Sequence, residues 1–354
     1  MKTVLVTGAA GTVGTYLVAL AEAAGWRVIA SDLTARGVRT PVRGEVRPAD
    51  LTDASALPAL VRGCDAVLHT AALLDVSAEP EALRAVNAEA TERLHAAAAE
   101  AGAGRFVHLS AARLYAPAGA RPLREDAPLA ERGPYAASKR EAEERLMARR
   151  GGPAWTIVRP APIYGRRGRH FAASLLALGP LLRLATPVLP RPEGGPRGTM
   201  VHAEDVARAM LFVLENEAAA ERIFNVSDGD ALPLGERLAL TFDAYGLAST
   251  PVPVPVGPLL SRAASLVEHG PRWLQRGVDR AGLTGWAAVV RRHDLKPALR
   301  PRFDREVLEL AHDDLVVDAS ALEALGWAPR YARFEAGWSA VLRIYQAERW
   351  VPRY

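Results

Sequence analysis

The 354-residue chain holds one cysteine, Cys64, so no disulfide can form within it. No Cys/His grouping has the spacing of a zinc site either, and neither a disulfide scaffold nor a metal finger is expected to organise the fold. Lysine is almost as scarce: Lys2, Lys139 and Lys296 are three of 44 basic residues. On that background a lysine inside a motif points to a use for its primary amine. Charge of one sign is not concentrated. The net charge of +4 is spread along the chain, Arg166, Arg167, Arg169 and His170 forming the one compact basic run, and no nucleic-acid partner is expected. An unbroken run of the ~20 apolar residues that span a bilayer is missing too. The nearest, residues 171–190, is interrupted by Pro180, Arg183 and Pro187. It reads as a buried helix or the apolar wall of a pocket, without stable membrane insertion. The opening residues MKTVLVTG run straight into a strand and leave no room for a cleavable leader. These absences together predict a reducing, cytoplasmic setting.

What is present is a globular composition: 49% hydrophobic and 24% charged residues, enough to bury a large core. At ~150 residues per domain the length suggests about two domains. Short apolar runs at Thr3–Val6, Trp26–Ala30, Ala66–His69, Arg105–Ser110 and Trp155–Val158 alternate with helical patterns to Ala24, over Pro80–Ala101 and over Tyr135–Arg150. That alternation predicts βαβ units, an α/β fold with a Rossmann-type doubly wound parallel sheet. Uniformly apolar strands fit burial on both faces. After Gly165 the texture changes. Segments 166–200 and 229–302 hold many prolines and glycines with broken helical patterns, while Ala203–Leu214 reads as helix and Ile223–Val226 as strand. The expected organisation is a first domain over 1–165, rejoined by 201–228, and a smaller cap from 166–200 and 229–354.

The residues Thr7-Gly8-Ala9-Ala10-Gly11-Thr12-Val13-Gly14 set glycines at G-x-x-G-x-x-G between a strand and a helix. Side chains must be absent there for a pyrophosphate to approach the helix N-terminus. Asp32 closes the second strand, 18 residues after Gly14. A carboxylate at that place accepts from both adenosine ribose hydroxyls and repels a 2′-phosphate, which favours NAD over NADP. Farther on, Tyr135 and Lys139 stand four apart in GPYAASK, on one face of a helix. An ammonium beside a phenol favours the phenolate, so the pair can move a proton on and off a substrate hydroxyl.

These pieces resemble the extended short-chain dehydrogenases/reductases, the NAD-dependent epimerase/dehydratase family, over most of residues 1–230. Further matching runs are Asp50-Leu51, His69-Thr70-Ala71-Ala72, Val86-Asn87-Ala88-Glu89-Ala90-Thr91 (alanine where the family usually has glycine), Met200-Val201-His202-Ala203-Glu204-Asp205-Val206-Ala207, Phe224-Asn225-Val226 and Leu325-Gly326-Trp327. The resemblance implies NAD as cofactor, with Gly8, Gly11, Thr12, Val13, Gly14, Asp32, Asp50, Leu51, Thr70, Ala71, Ala72, Asn87, Tyr135, Lys139 and Pro162 around it. It also implies Tyr135 as general acid/base and Lys139 as its partner, a small-molecule substrate, and a homodimer through 80–101 and 135–150. There is one departure. The family usually carries S-[ST]-x-x-x-Y-G after strand five, and Ser110-Ala111-Ala112-Arg113-Leu114-Tyr115-Ala116 places Ala111 at the second hydroxyl. Losing such a donor lowers rate by ~10²–10³-fold, leaving Ser110, a cap residue or water to replace it, or a weak catalyst.

Arg159-Pro160-Ala161-Pro162-Ile163-Tyr164-Gly165 is similar to R-P-x-x-I-Y-G of the 3β-hydroxysteroid dehydrogenase-like branch. Pro162 stands where sugar-nucleotide members commonly carry asparagine, and it has neither a side-chain amide nor an N–H to offer phosphates. The apolar 171–190 and Pro251–Val267 stretches then read as pocket walls, and an apolar alcohol or ketone is the favoured substrate. Arg166, Arg167, Arg169 and Arg197 keep a sugar-nucleotide epimerase or dehydratase open, and Ala111 keeps open an NAD-binding regulatory protein. His95 reads as solvated and His202 as structural. His293, Asp294, His312, Asp313 and Asp314 are not expected to bind metal.

Overall fold

The structure is a computed structural model describing residues 1–74, 78–130, 133–166, 168, 171–258, 272–302 and 313–354, with no side chain described over 272–276. Its centre is one sheet of β1 (Thr3–Thr7), β2 (Arg27–Ser31), β3 (Glu45–Val46), β4 (Ala66–His69), β5 (Arg105–Leu109), β6 (Ala154–Pro160) and the strand Arg222–Val226. The order runs from Arg222–Val226 through β6, β5, β4 and β1 to β2 and β3, every pair parallel. This is the expected doubly wound Rossmann-type α/β sheet, and the strand near 223–226 does rejoin it beside β6.

Burial on both faces explains the unbroken apolar strands. Val4 and Val6 pack into one cluster with α1 (Gly14–Ala23) and α7 (Ala203–Glu215). Leu5, pointing the other way as strand pleating requires, joins a cluster with α2 (Leu57–Leu60) and α4 (Ala90–Glu100). The stretch expected as one helix over Pro80–Ala101 is α3 (Pro80–Arg84) and α4 joined by a single π-helical turn, Ala85–Glu89. That widened turn holds Asn87, and such turns recur at functional sites. The charge-spaced helix is α5, Gly133–Ala148. Because β1 has β2 on one side and β4 on the other, the chain reverses its winding there. Ligands of open α/β sheets bind at that crevice, beyond the carboxyl ends of the strands.

A second core lies apart from the sheet. Tyr164, Phe171, Leu176, Phe242, Trp286 and Trp338 belong to it, drawn from the short strand Ile163–Tyr164, α6 (Phe171–Leu182), α8 (Leu234–Tyr245) and the helices Arg272–Arg292 and Phe334–Ala347. Helix α6 fulfils the buried-helix reading of 171–190. The broken helical patterns expected over 229–302 are instead two regular helices of 12 and 21 residues, since the prolines cluster between them, in the strand Ser249–Pro255. That strand is no pocket wall: Val252 is 67% exposed. The remainder of the expected wall, 259–267, and Arg167, Arg169, His170 and His312 lie outside the described residues.

Candidate active site

The glycine turn joins β1 to α1. Gly8 has φ +69°, and a Cβ on it would stand 2.7 Å from the Ala71 nitrogen. A Cβ on Gly14 would stand 2.1 Å from the Gly8 carbonyl oxygen. Both glycines are therefore demanded by the turn's own packing. Gly11 differs: it is exposed, and a Cβ there would meet only Gly8 O, at 3.0 Å. This position keeps the outer side of the turn bare. Val13 is the N-cap of α1 and makes no side-chain cap, while the Thr15 and Tyr16 amides are taken by Gly11 O and Val13 O. Thr12 sits in the same turn, and Val13 tucks into the sheet core.

Asp32 takes the Ala10 amide on Oδ2 and the Leu33 amide on Oδ1, both at 2.9 Å. Each carboxylate oxygen has a second lone pair, and the residue is half-buried, which leaves outward acceptors for a diol. Asp50 closes a small turn on Thr52, whose N–H and hydroxyl both donate to its Oδ1 and hold its acid below the usual range. Leu51 beside it is buried.

Behind the turn runs a buried polar chain. Thr91 Oγ1 donates to the Asn87 carbonyl, so it accepts from His69 Nε2 at 2.9 Å. His69 Nδ1 is then the acceptor for Thr7 Oγ1 at 2.7 Å. Burial, with the Lys139 charge added, pushes the His69 imidazole down to about 3, so it remains neutral. Thr70 Oγ1 donates to Thr7 O, the Ala71 amide reaches Thr7 Oγ1 at 3.4 Å, and Ala72 follows, half-buried. Asn87 is 1% exposed. Its Oδ1 accepts from Leu73 N, and its Nδ2 donates to Leu73 O and Ser138 Oγ. Its amide thus braces the strand-four turn against α5.

On α5, Tyr135 and Lys139 are both buried, and Ser138 Oγ donates to the Tyr135 carbonyl. Lys139 Nζ donates to Leu109 O at 2.5 Å and lies 3.3 Å from His108 Nε2. Burial drives its ammonium down to about 8, partly offset by Glu143. With Nε2 facing an ammonium, the proton of neutral His108 belongs on Nδ1, which has no partner. Glu143 is held by Arg159 through Nε at 3.0 Å and Nη2 at 2.6 Å, both fully interior. Arg159 Nη1 also donates to Tyr115 Oη, which donates in turn to Asn225 Oδ1. Ser110 closes β5, its amide on Val158 O and its buried Oγ without a partner. Ala111 is extended (φ −157°) and leads into the turn Ala112–Leu114. Tyr135, Lys139 and Ser110 thus come from α5 and the end of β5, while Gly8, Gly11, Gly14 and Asp32 come from the ends of β1 and β2.

A small cleft borders the second core. It is lined by Pro162, Phe171, Gly198, Met200, Leu234 and Leu315, with Arg197, Thr199, Arg237 and Asp313 also on its walls. His202 is structural as expected, its Nδ1 accepting the Glu204 amide at the start of α7. His95 is not solvated: it is buried, with Nε2 on the Pro153 carbonyl, because α4 turns that face toward β5 and Phe106. No cluster of three metal-ligating side chains occurs among the described residues. Sequence reading overlooked His108 and Arg237. A histidine interrupting the apolar run of β5 was a signal for the first.

A Rossmann-type sheet with a bare glycine turn, an acidic residue after the second strand and a Tyr-x-x-x-Lys helix beside the fifth defines a class: nicotinamide-dinucleotide enzymes of the short-chain type. The chain belongs to the NAD-dependent epimerase/dehydratase family, whose model matches residues 4–227, and NAD is the cofactor of that family. Among curated relatives it is 28% identical over 326 residues to 4-hydroxy-2-methyl-3-oxo-4-farnesyl-3,4-dihydroquinoline-1-oxide ketoreductase of Stigmatella aurantiaca, covering 86% of this chain and 89% of that one. It is 26% identical over 278 residues to UDP-glucose 4-epimerase of Vibrio cholerae, covering 72% and 79%. The fold is similar to that of DesIV, a dTDP-glucose 4,6-dehydratase from Streptomyces venezuelae solved with NAD and TYD, at TM-score 0.70 and 24% identity over 99% of this chain and 98% of that one. No helix among the described residues is long and apolar enough to cross a membrane.

Proposed function

We propose that the protein moves a hydride between NAD and a secondary alcohol or ketone of a largely apolar substrate. The observation that carries this reading is the group of apolar side chains, Pro162, Phe171, Met200, Leu234 and Leu315, on a cleft whose other walls include Arg197, Thr199, Arg237 and Asp313. Pro162, where a sugar-nucleotide binder would present an amide, offers no donor. The farnesyl-bearing ketone in the name of the Stigmatella relative is of the same chemical kind.

The residues present fit NAD. Bare Gly11 and the start of α1, which no side chain caps, suit a diphosphate, and the outward lone pairs of Asp32 suit a ribose diol. The same reading assigns Thr12, Val13, Asp50, Leu51, Thr70, Ala71 and Ala72 to the cofactor, Val13 and Leu51 from within the core, and has Asn87 act from behind. The bound nicotinamide supplies hydride chemistry. Tyr135 holds and moves the proton at the substrate oxygen as general acid/base. Lys139, as an ammonium, favours the Tyr135 phenolate and holds the ribose of the nicotinamide. Ser110, with its uncommitted hydroxyl, is the donor that replaces the one missing at Ala111. The same reading assigns 1–165 with 201–228 to the cofactor, makes 166–200 and 229–354 the substrate cap, and places a cytoplasmic enzyme closest in motif to the 3β-hydroxysteroid dehydrogenase-like branch. The homodimer through 80–101 and 135–150 belongs to it as well.

Tyr135→Phe tests the assignment: NADH oxidation with a lipophilic ketone is expected to fall by at least ~10²-fold, while calorimetric NAD affinity holds. Full turnover in that variant would remove Tyr135 from the chemistry. Arg197 and Arg237 in the cleft favour a second reading, a sugar-nucleotide epimerase, which would show no net NADH change. Ala111 favours a third, an NAD-binding regulator, in which no ketone or sugar nucleotide is turned over.

A further inference from the structure

Where the cleft meets the start of α8, an arginine is buried with one of its donors unused. Arg237 is 4% exposed. Its Nη2 donates to the Gly198 carbonyl at 2.6 Å, and its guanidinium carbon lies 5.0 Å from the centre of the Phe334 ring. Its Nε donates to nothing, and it makes no ion pair among the described residues. Asp228 and Asp230 are near enough to act on its charge but do not come within ion-pairing distance. Asp228 Oδ1 instead receives the Met200 and Asp230 amides, and its Oδ2 has no partner. Burial pushes the Asp228 acid up to about 7, so at neutral pH it supplies only part of a compensating charge. Tyr164 Oη, buried beside them, is also without a partner. A guanidinium removed from water with donors unused is unfavourable unless an anion meets it.

The same residue is a wall of the cleft. We propose that the cleft takes an amphiphilic monoanion, a carboxylate joined to a lipophilic chain, and that Arg237 is the group that receives the carboxylate. The inference rests on the reading of the site as a reductase of apolar ketones and names its substrate class: an oxo acid. Pro162, Phe171, Met200, Leu234 and Leu315 suit the chain, and the planar guanidinium fork matches a carboxylate.

The test uses the full chain loaded with NAD. Titration calorimetry is expected to find decanoate binding about 10- to 100-fold tighter than decanol, the range of one charge-assisted contact. Arg237→Met, which keeps the packing on Phe334 and removes the charge, is expected to abolish that preference, and Arg237→Lys to restore part of it. Equal affinity for the two probes, no binding of decanoate, or tighter binding of UDP than of decanoate overturns the proposal, and these comparisons need no variant. NADH oxidation with 3-oxodecanoate and its methyl ester separates this inference from the reading beneath it. A faster acid supports both. Equal rates with acid and ester overturn the carboxylate subsite and leave ketone reduction standing. An Arg237-dependent decanoate preference with neither ketone turned over supports the subsite and ends the reductase reading.

Discussion

At Lys139 two demands oppose each other: the proposed chemistry wants an ammonium beside Tyr135, and burial disfavours one. The folded chain releases this proton near pH 8 and an ordinary lysine near 10.5. Between those values the unfolded state binds more protons, so stability rises with pH across that window. The gap, at ~1.36 kcal/mol per pH unit, amounts to about 3 kcal/mol. Urea denaturation of the ligand-free protein, referenced at each pH to Lys139→Met, is expected to show this rise from pH 8 to 10.5; a flat difference would mean the ammonium is not desolvated. Ser110 carries a second expectation at this scale. Ser110→Ala is expected to lower kcat by ~10²-fold with stability nearly unchanged, since its Oγ bonds to nothing in the fold. Ala111→Ser is expected to change the rate little if Ser110 has taken over, and a large gain would mark a weakened catalyst. The Tyr-Lys pair and Asp32 were legible from spacing because helical and strand periods are local. The Lys139–His108 contact was not, as it joins residues on α5 and β5.

The elements around the cofactor crevice separate folding from binding. Gly14→Ala puts a methyl 2.1 Å from a backbone oxygen, which no side-chain rotation relieves. It is expected to destabilise the chain by ~1–3 kcal/mol or more and to abolish NAD binding. Gly11→Ala meets one atom at 3.0 Å. It is expected to leave the melting temperature within a few degrees, a shift of about 1 kcal/mol, while weakening NAD. Thermal melts paired with NAD titration check both, and an unchanged NAD affinity in Gly11→Ala would place the diphosphate elsewhere. The glycine spacing was visible in the sequence, but it does not say which glycine serves the turn and which the ligand. For Gly8 that distinction depends on Ala71, which reaches it from the end of β4, and for Gly14 on the path the Gly8 carbonyl takes within the turn.

Across the whole molecule, the sheet and the second core use different residues, and Trp338 sits at 1% exposure in the latter. Trp338→Ala is expected to lower stability by ~3–5 kcal/mol, read by urea unfolding. If 166–200 and 229–354 form the substrate cap, ketone turnover falls in that variant far more than NAD affinity, and equal losses would argue against the division. The sequence by itself determined the parallel sheet, the glycine turn and the Tyr-Lys helix, because periodicity and turn chemistry act over a few neighbouring residues. It also marked Ala111 as a departure. Only the tertiary structure decided that His95 is interior, that Asn87 braces α5, that 234–245 and 272–292 are regular helices, and that Arg237 is buried with its Nε unbonded. Those outcomes depend on which distant surfaces meet, and burial sets the electrostatic environment of a side chain only once they have met.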